Sequence, residues 1–194
     1  FVLFNGVDRS KFFKKEIKEN DIFTIGCIAN FWKIKGHITL IKSIQSILEN
    51  GSKIKLRLIG SGPTLKSCKK YVTKNNLSKY IVFENEIAHE KLNDFYNSID
   101  LFVLPSYFEA LGCVYLESWA TNTPFIAVEG QGISELIIDE DRNTILAQVK
   151  SIESLNEKIL LAFNNRKSYP FNTKYDIKHT ISDFLSLNIF DKYV

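Results

Sequence analysis

Glu109 and Glu117 stand eight positions apart at the ends of the segment EALGCVYLE. Two carboxylates invite acid–base chemistry on a glycosidic bond. The spacing argues against it, because eight helical residues rise about 12 Å at 1.5 Å each. A retaining hydrolase pair needs about 5–5.5 Å and an inverting pair about 6.5–9.5 Å. Two separate recognition tasks fit better, each carboxylate accepting hydrogen bonds from hydroxyls of a polyhydroxylated ligand. The competing reading makes Glu109 a charge at a helix start and Glu117 a surface carboxylate.

Cations that could meet an anion are local. The segment 30–36, NFWKIKG, carries Asn30, Lys33 and Lys35. Lysines just after a strand can neutralise phosphate, and the next helix would aim its N-terminal dipole at the same anion. Solvated loop lysines are the plainer alternative. The segment 105–112, PSYFEALG, ends on Gly112, where a helix should begin. Glycine there permits close backbone approach, and free N–H groups at a helix start suit phosphate. Gly60-Ser61-Gly62-Pro63 looks like the start of a dinucleotide fingerprint, but Leu65 stands where its third glycine belongs. A tight strand-to-helix turn with Pro at the helix start explains it equally.

The elements that must carry these loops alternate between short apolar runs and helical patterns, the mark of βα units on a parallel sheet. Strands are expected at 22–29, 54–59, 81–83, 101–104, 125–128 and 144–146, with a further strand at 1–4 before the Asn5-Gly6 turn. Helical faces run through Ile38, Ile41, Ile44 and Leu48, through Leu65, Cys68 and Val72, and through Leu92, Phe95, Tyr96 and Ile99. More helices are expected at 112–120, at 133–138, around Leu155 and Ile159, and over 175–187. The fold class is therefore α/β: a Rossmann-like, doubly wound parallel sheet of about six strands. A domain over 1–168 and a helical tail over 169–194 are expected, the tail either capping the domain or packing elsewhere. With strand order 3-2-1-4-5-6, the switch point falls between the first and fourth strands, and ligands bind at the carboxyl ends beside it. That places the loops 30–36 and 105–112 at the ligand on topology alone.

The 194 residues carry 25 Lys and Arg against 22 Asp and Glu, a net charge of +3 with no run of five like charges. Nucleic acid therefore has no electrostatic case as a partner. Cys27, Cys68 and Cys113 show no CxxC or Cys/His metal spacing and read as buried thiols of a reducing cytosol. No apolar stretch approaches the roughly 18 residues of a membrane span, and no signal peptide is visible. The sequence opens on Phe1 and contains no Met, so further chain is expected upstream, and any membrane association would come through it.

Taken in order, these residues resemble the carboxyl-terminal half of the retaining glycosyltransferase group 1 family (family 4), whose members have two facing Rossmann-like domains, the GT-B architecture. The match runs from Asn5-Gly6-Val7-Asp8 to about Phe163, through Lys35-Gly36, Gly60-Ser61-Gly62-Pro63, DLFVLPS at 100–106 and Gly132-Ile133-Ser134-Glu135. Its centre is the E-x7-E motif, Glu109 to Glu117. The resemblance implies that this half binds a nucleotide-diphospho-sugar, with retention at the anomeric carbon and no metal or other cofactor. It implies that Lys35 contacts the diphosphate and that Glu109 bonds the donor sugar near the reacting carbon. Backbone N–H groups of Ala110, Leu111 and Gly112 would reach sugar and phosphate, Glu117 would hold the ribose hydroxyls, and Ile87 would border the base. The acceptor, a saccharide or lipid-linked molecule, would belong to an upstream domain, and the whole would be cytoplasmic or peripheral at a membrane. Two departures stand out. Asn30 replaces the family arginine, with Lys33 as a candidate substitute, and Asn85 replaces a glycine after the third strand. A non-catalytic nucleotide-sugar-binding or interaction module, an NAD-binding domain and a sugar-nucleotide epimerase are the alternatives.

Overall fold

The chain forms its sheet from short apolar runs because each lies between helices that cover both faces. The computed structural model describes residues 4–16 and 21–186. The strands are β1 (Phe23–Ile28), β2 (Ile54–Ile59), β3 (Ile81–Glu84), β4 (Leu101–Val103), β5 (Phe125–Val128) and β6 (Leu146–Ala147). The helices are α1 (His37–Glu49), α2 (Leu65–Lys74), α3 (Leu92–Asn97), α4 (Cys113–Ala120), α5 (Asp139–Ile145), α6 (Ile152–Asn165) and α7 (Ile177–Leu185). All strand pairs are parallel, in the order β3-β2-β1-β4-β5-β6. This is the doubly wound order expected from the alternation of elements. The register sets Phe23 beside Ile54 and Ile25 beside Leu101, so β1 is the hinge of the sheet.

Packing follows from periodicity. On α1, Leu40, Ile41, Ile44 and Ile47 recur at helical spacing and are fully buried, while α6 and α2 pack alongside. Each such side chain contributes about 1.5–3 kcal/mol by leaving water. Across the sheet an aromatic chain runs Tyr96–Phe102–Tyr115–Phe125, with ring centroids 5.4, 6.0 and 5.4 Å apart. It ties α3 and α4 to β4 and β5. The Tyr115 hydroxyl donates to the Leu104 carbonyl at 2.6 Å, fixing α4 against the end of β4.

The structure departs from expectation around 133–146. A helix expected at 133–138 is only a 3-10 turn, Gly132–Glu135, and the true helix is α5, directly after it. Ile138 is extended (φ −66°, ψ 151°) and breaks any continuation. Asp139, Glu140 and Asp141 then place three carboxylates in the first turn of α5, where the helix dipole favours them. Helix α5 absorbs Thr144 and Ile145, so the sixth strand is Leu146–Ala147 rather than 144–146. The strand expected at 1–4 lies mostly outside the described residues.

The tail is bonded back to the head of the chain. Val7 N–H donates to the Tyr175 carbonyl at 2.9 Å, and Ile177 N–H donates to the Val7 carbonyl at 3.0 Å. The Trp119 indole donates to the carbonyls of Tyr169 and Pro170 at 3.1 and 3.0 Å. Helix α7 is capped by Asp176, whose Oδ1 accepts from Lys178 N–H at 3.0 Å. No helix among the described residues is long and apolar enough to cross a membrane.

Candidate functional site

Strands β1 and β4 are neighbours whose following segments leave the sheet on opposite faces, which opens a crevice between them. After β1, Phe31 N–H donates to the Ser61 carbonyl at 2.7 Å and Thr64 N–H to the Phe31 carbonyl at 2.9 Å. The Gly60–Pro63 turn thus serves to hold the 29–32 segment. A 3-10 turn, Lys33–Lys35, follows. After β4, Tyr107 N–H donates to the Ile34 carbonyl at 2.7 Å, joining the two loops.

Within this frame Lys35 Nζ lies 2.5 Å from Glu109 Oε2. Both side chains are largely buried, so the pair is shielded far better than a surface ion pair. Sequence reasoning gave the two residues different targets and did not anticipate that they meet. Glu109 is held from behind: its backbone N–H donates to Gln131 Oε1, and Gln131 Nε2 donates to the Tyr107 carbonyl at 3.2 Å. Gln131 is buried and was not singled out beforehand; the adjoining Gly132–Glu135 motif was its only sequence signal.

Helix α4 begins at the same crevice. Gly112 is its N-cap, in the left-handed region (φ 74°), and no side chain caps the first turn. A helix start of this kind presents N–H groups and partial positive charge to an anion. A little over one turn on, Glu117 is buried rather than a surface carboxylate. Tyr96 donates its hydroxyl to Glu117 Oε2 at 2.8 Å, and His89 Nε2 stands 4.0 Å from Oε1. Burial pushes the Glu117 carboxyl above its ordinary pKa, opposed by the Tyr96 hydrogen bond and by His89.

These groups border one cleft of about 530 Å³. Asn30, Lys35, Ile87, Glu109, Gly112 and Glu117 all line it. Ala110 and Leu111 do not, and Gly132 packs on the Ala110 carbonyl. Lys33 is exposed on the 3-10 turn and does not line the cleft. Cys113, expected to be buried, is exposed at the cleft, whereas Cys27 and Cys68 are buried. His89 and Val114 line it without having been foreseen. Among the described residues no group of three or more His, Cys, Asp or Glu comes together as a metal site.

Comparison with known proteins places this chain in a family. The chain is 31% identical over 166 residues to an uncharacterized glycosyltransferase of Methanocaldococcus jannaschii, covering 86% of this chain and 44% of that protein. It is 27% identical over 172 residues to the capsular polysaccharide biosynthesis glycosyltransferase CapM of Staphylococcus aureus, covering 84% of this chain and 43% of the relative. The chain thus spans about half the length of the curated relatives it matches. Among solved structures, a glycosyltransferase from Rickettsia africae superposes with a TM-score of 0.85 at 15% identity, covering 100% of this chain and 58% of that one. Anabaena HepE, solved in complex with UDP-glucose, gives 0.80 at 18% identity over 96% of this chain and 57% of its own. These superpositions establish the fold, one half of a GT-B architecture. The profile described as glycosyl transferases group 1 matches residues 8–178, and the chain belongs to that family.

Proposed function

We propose that this chain is the donor-binding half of a retaining glycosyltransferase that moves a sugar from a nucleotide-diphospho-sugar to a saccharide or lipid-linked acceptor. The observation that carries the reading is the Lys35–Glu109 pair, 2.5 Å apart, set beside the uncapped start of α4 at the sheet's switch point. A cation for diphosphate and a carboxylate for sugar hydroxyls in contact require the sugar–phosphate linkage to lie directly over them. Support comes from the relatives: HepE is described with UDP-glucose, and a relative 26% identical is an alpha-monoglucosyldiacylglycerol synthase of Streptococcus pneumoniae.

The chemistry follows from charge. As the bond from C1 to the phosphate oxygen breaks, its electron pair passes to the diphosphate. Lys35 and the α4 start stabilise that growing charge. Glu109 accepts sugar hydroxyls and holds C1 in place, a positioning effect. Glu117 lies deeper, where the ribose would sit, and Ile87 borders the base. The acceptor oxygen then bonds to C1 on the face the diphosphate leaves, and its proton passes to the departing diphosphate oxygen. The nucleotide-sugar enters as a substrate, and the reaction needs no resident cofactor. An upstream domain supplies the acceptor side, in the cytoplasm or at the face of a membrane. The 194 residues alone bind donor weakly and do not turn over.

The test is thermal stabilisation by UDP-sugars, GDP-sugars and NAD. A nucleotide-sugar is expected to raise the melting temperature by mass action. Lys35→Ala is expected to weaken that binding by roughly 10- to 100-fold, since charge-assisted hydrogen bonds contribute about 1.5–3 kcal/mol. Stabilisation by NAD, with none from any nucleotide-sugar, would overturn the proposal. An unchanged nucleotide-sugar affinity in both Lys35→Ala and Glu109→Gln would equally overturn it.

A further inference from the structure

We infer that Tyr96 is a positioning residue for donor recognition: it fixes the Glu117 carboxylate by one oxygen, so that the other oxygen alone meets the ribose of the ligand. This rests on the donor-site reading above and adds to it a residue outside the cleft lining.

Tyr96 is fully buried on α3, and its backbone carbonyl accepts the Thr123 hydroxyl at 2.9 Å. Its ring packs on Phe12, Phe95 and Phe102, with centroids 6.2, 5.4 and 5.4 Å away. Those contacts would be met equally by phenylalanine. The hydroxyl is what packing does not need, and it donates to Glu117 Oε2 at 2.8 Å. Burial and the neighbouring carboxylate hold the phenol well above its ordinary pKa, so the hydroxyl stays a donor. Glu117 Oε2 is therefore engaged inside the protein. Oε1 is the oxygen turned towards exposed His89, 4.0 Å away. Phe12 touches both partners, edge-on to Tyr96 and at 5.5 Å to His89, so one buried ring braces the two sides of the carboxylate. A carboxylate anchored at one oxygen keeps its rotamer without the ligand and loses less freedom on binding. Released from Tyr96, it would turn within the cleft and present both oxygens or neither.

The experiment is titration calorimetry of the intact protein with UDP and GDP and with their 2′,3′-dideoxy counterparts. Wild type is expected to prefer the ribose form. Tyr96→Phe is expected to lose about tenfold in affinity for the ribose form, the value of one hydrogen bond to a charged group. Affinity for the dideoxy form should stay within twofold. An equal loss for both forms would mark a structural role and overturn the inference, as would no loss for either. Wild type that binds both forms alike would overturn the ribose role of Glu117 while leaving the phosphate side of the site intact. Wild type that binds neither UDP nor GDP would overturn the donor-site reading itself. Should Tyr96→Phe not fold, the comparison moves to Glu117→Gln, whose amide oxygen can still accept the Tyr96 hydroxyl. The neutral amide removes the unpaired buried charge that Tyr96→Phe alone leaves, so the double variant folds on different terms from the single one. Adding Tyr96→Phe there must again cost affinity for the ribose form alone.

Discussion

His37 stands two residues beyond the lysine of the site, with both ring nitrogens buried and without hydrogen-bond partners among the described residues. Its ring stacks on Phe31, centroids 3.9 Å apart and 13° from parallel. Burial, then the charge of Lys35, pull its pKa from 6.5 to about 4. The folded chain therefore holds His37 neutral where the unfolded chain protonates it. Between pH 6.5 and 4 the unfolded state binds more protons, so stability is complete above that window and falls as pH drops through it. The gap corresponds to on the order of 3 kcal/mol. Glu117 works the other way, because its carboxyl is raised by burial and acidification relieves that cost. Urea unfolding of wild type and His37→Leu at pH 7 and pH 5 separates the two. Wild type is expected to lose more stability on acidification than the variant; parallel losses would show that His37 carries none of the effect. At this scale the sequence revealed which residues matter better than how they meet. Lys35, Glu109 and Glu117 stood out by type and spacing. The Tyr96 hydroxyl did not, because a tyrosine within an apolar helical face looks the same whether its oxygen is used or not. Its partner is 21 residues away, beyond any local pattern.

Elements were legible where period and length agreed. Strand β5 was foreseen residue by residue, because a four-residue apolar run before an acidic turn admits one reading. On α1 the helix was legible but its face was only half so: Ile41 and Ile44 are in the core as expected, whereas Leu40 and Ile47 are buried in place of Ile38 and Leu48, which are half-buried. The segment after β5 was not legible, since Thr144, Ile145 and Leu146 are too few to tell strand from helix, and three preceding carboxylates settled it as α5. Helix α4 carries the element-scale prediction. At Gly112 a Cβ would stand 2.8 Å from the Tyr115 ring and 3.0 Å from Glu109 Cγ, in a left-handed backbone. Gly112→Ala is expected to cost about 1–3 kcal/mol of stability and to displace Glu109, lowering donor affinity as well. Gly51 is the control. It too has positive φ (86°), but nothing lies within 4 Å of its Cβ position, and it sits far along the chain from the crevice loops. Gly51→Ala should lose stability by strain without touching donor binding. Equal binding losses in both variants would separate the effect from the site.

At the scale of the whole molecule, the segments 5–13 and 169–177 are joined to each other beside the cleft. Residues 5–13 run from the tail to the cleft: Val7 pairs with the 175–177 segment, Asn5 Nδ2 reaches Cys113 Sγ at 3.7 Å, and Phe12 packs beside Tyr96 and His89. Tyr175 is the tail's anchor, buried, with its ring 6.0 Å from Trp119 and 6.1 Å from Phe4. Phe171 adds a second contact to Trp119 at 5.6 Å. By contrast α7 buries no residue. Among the described residues the buried anchor of the tail therefore lies in its first stretch, 169–176, and not in the helix that marks it in the sequence. Tyr175→Ala is expected to cost about 3–5 kcal/mol, in the range of large aromatic deletions, and Leu185→Ala on the exposed face of α7 far less. Calorimetric melting of the two variants distinguishes them. Because the anchor also holds Val7, Tyr175→Ala should loosen the approach of Phe12 to the cleft and weaken nucleotide-sugar binding, although residue 175 does not line the cleft. If Tyr175→Ala melts like wild type, or binds donor unchanged while its melting temperature falls, then head, tail and cleft are not one mechanical unit.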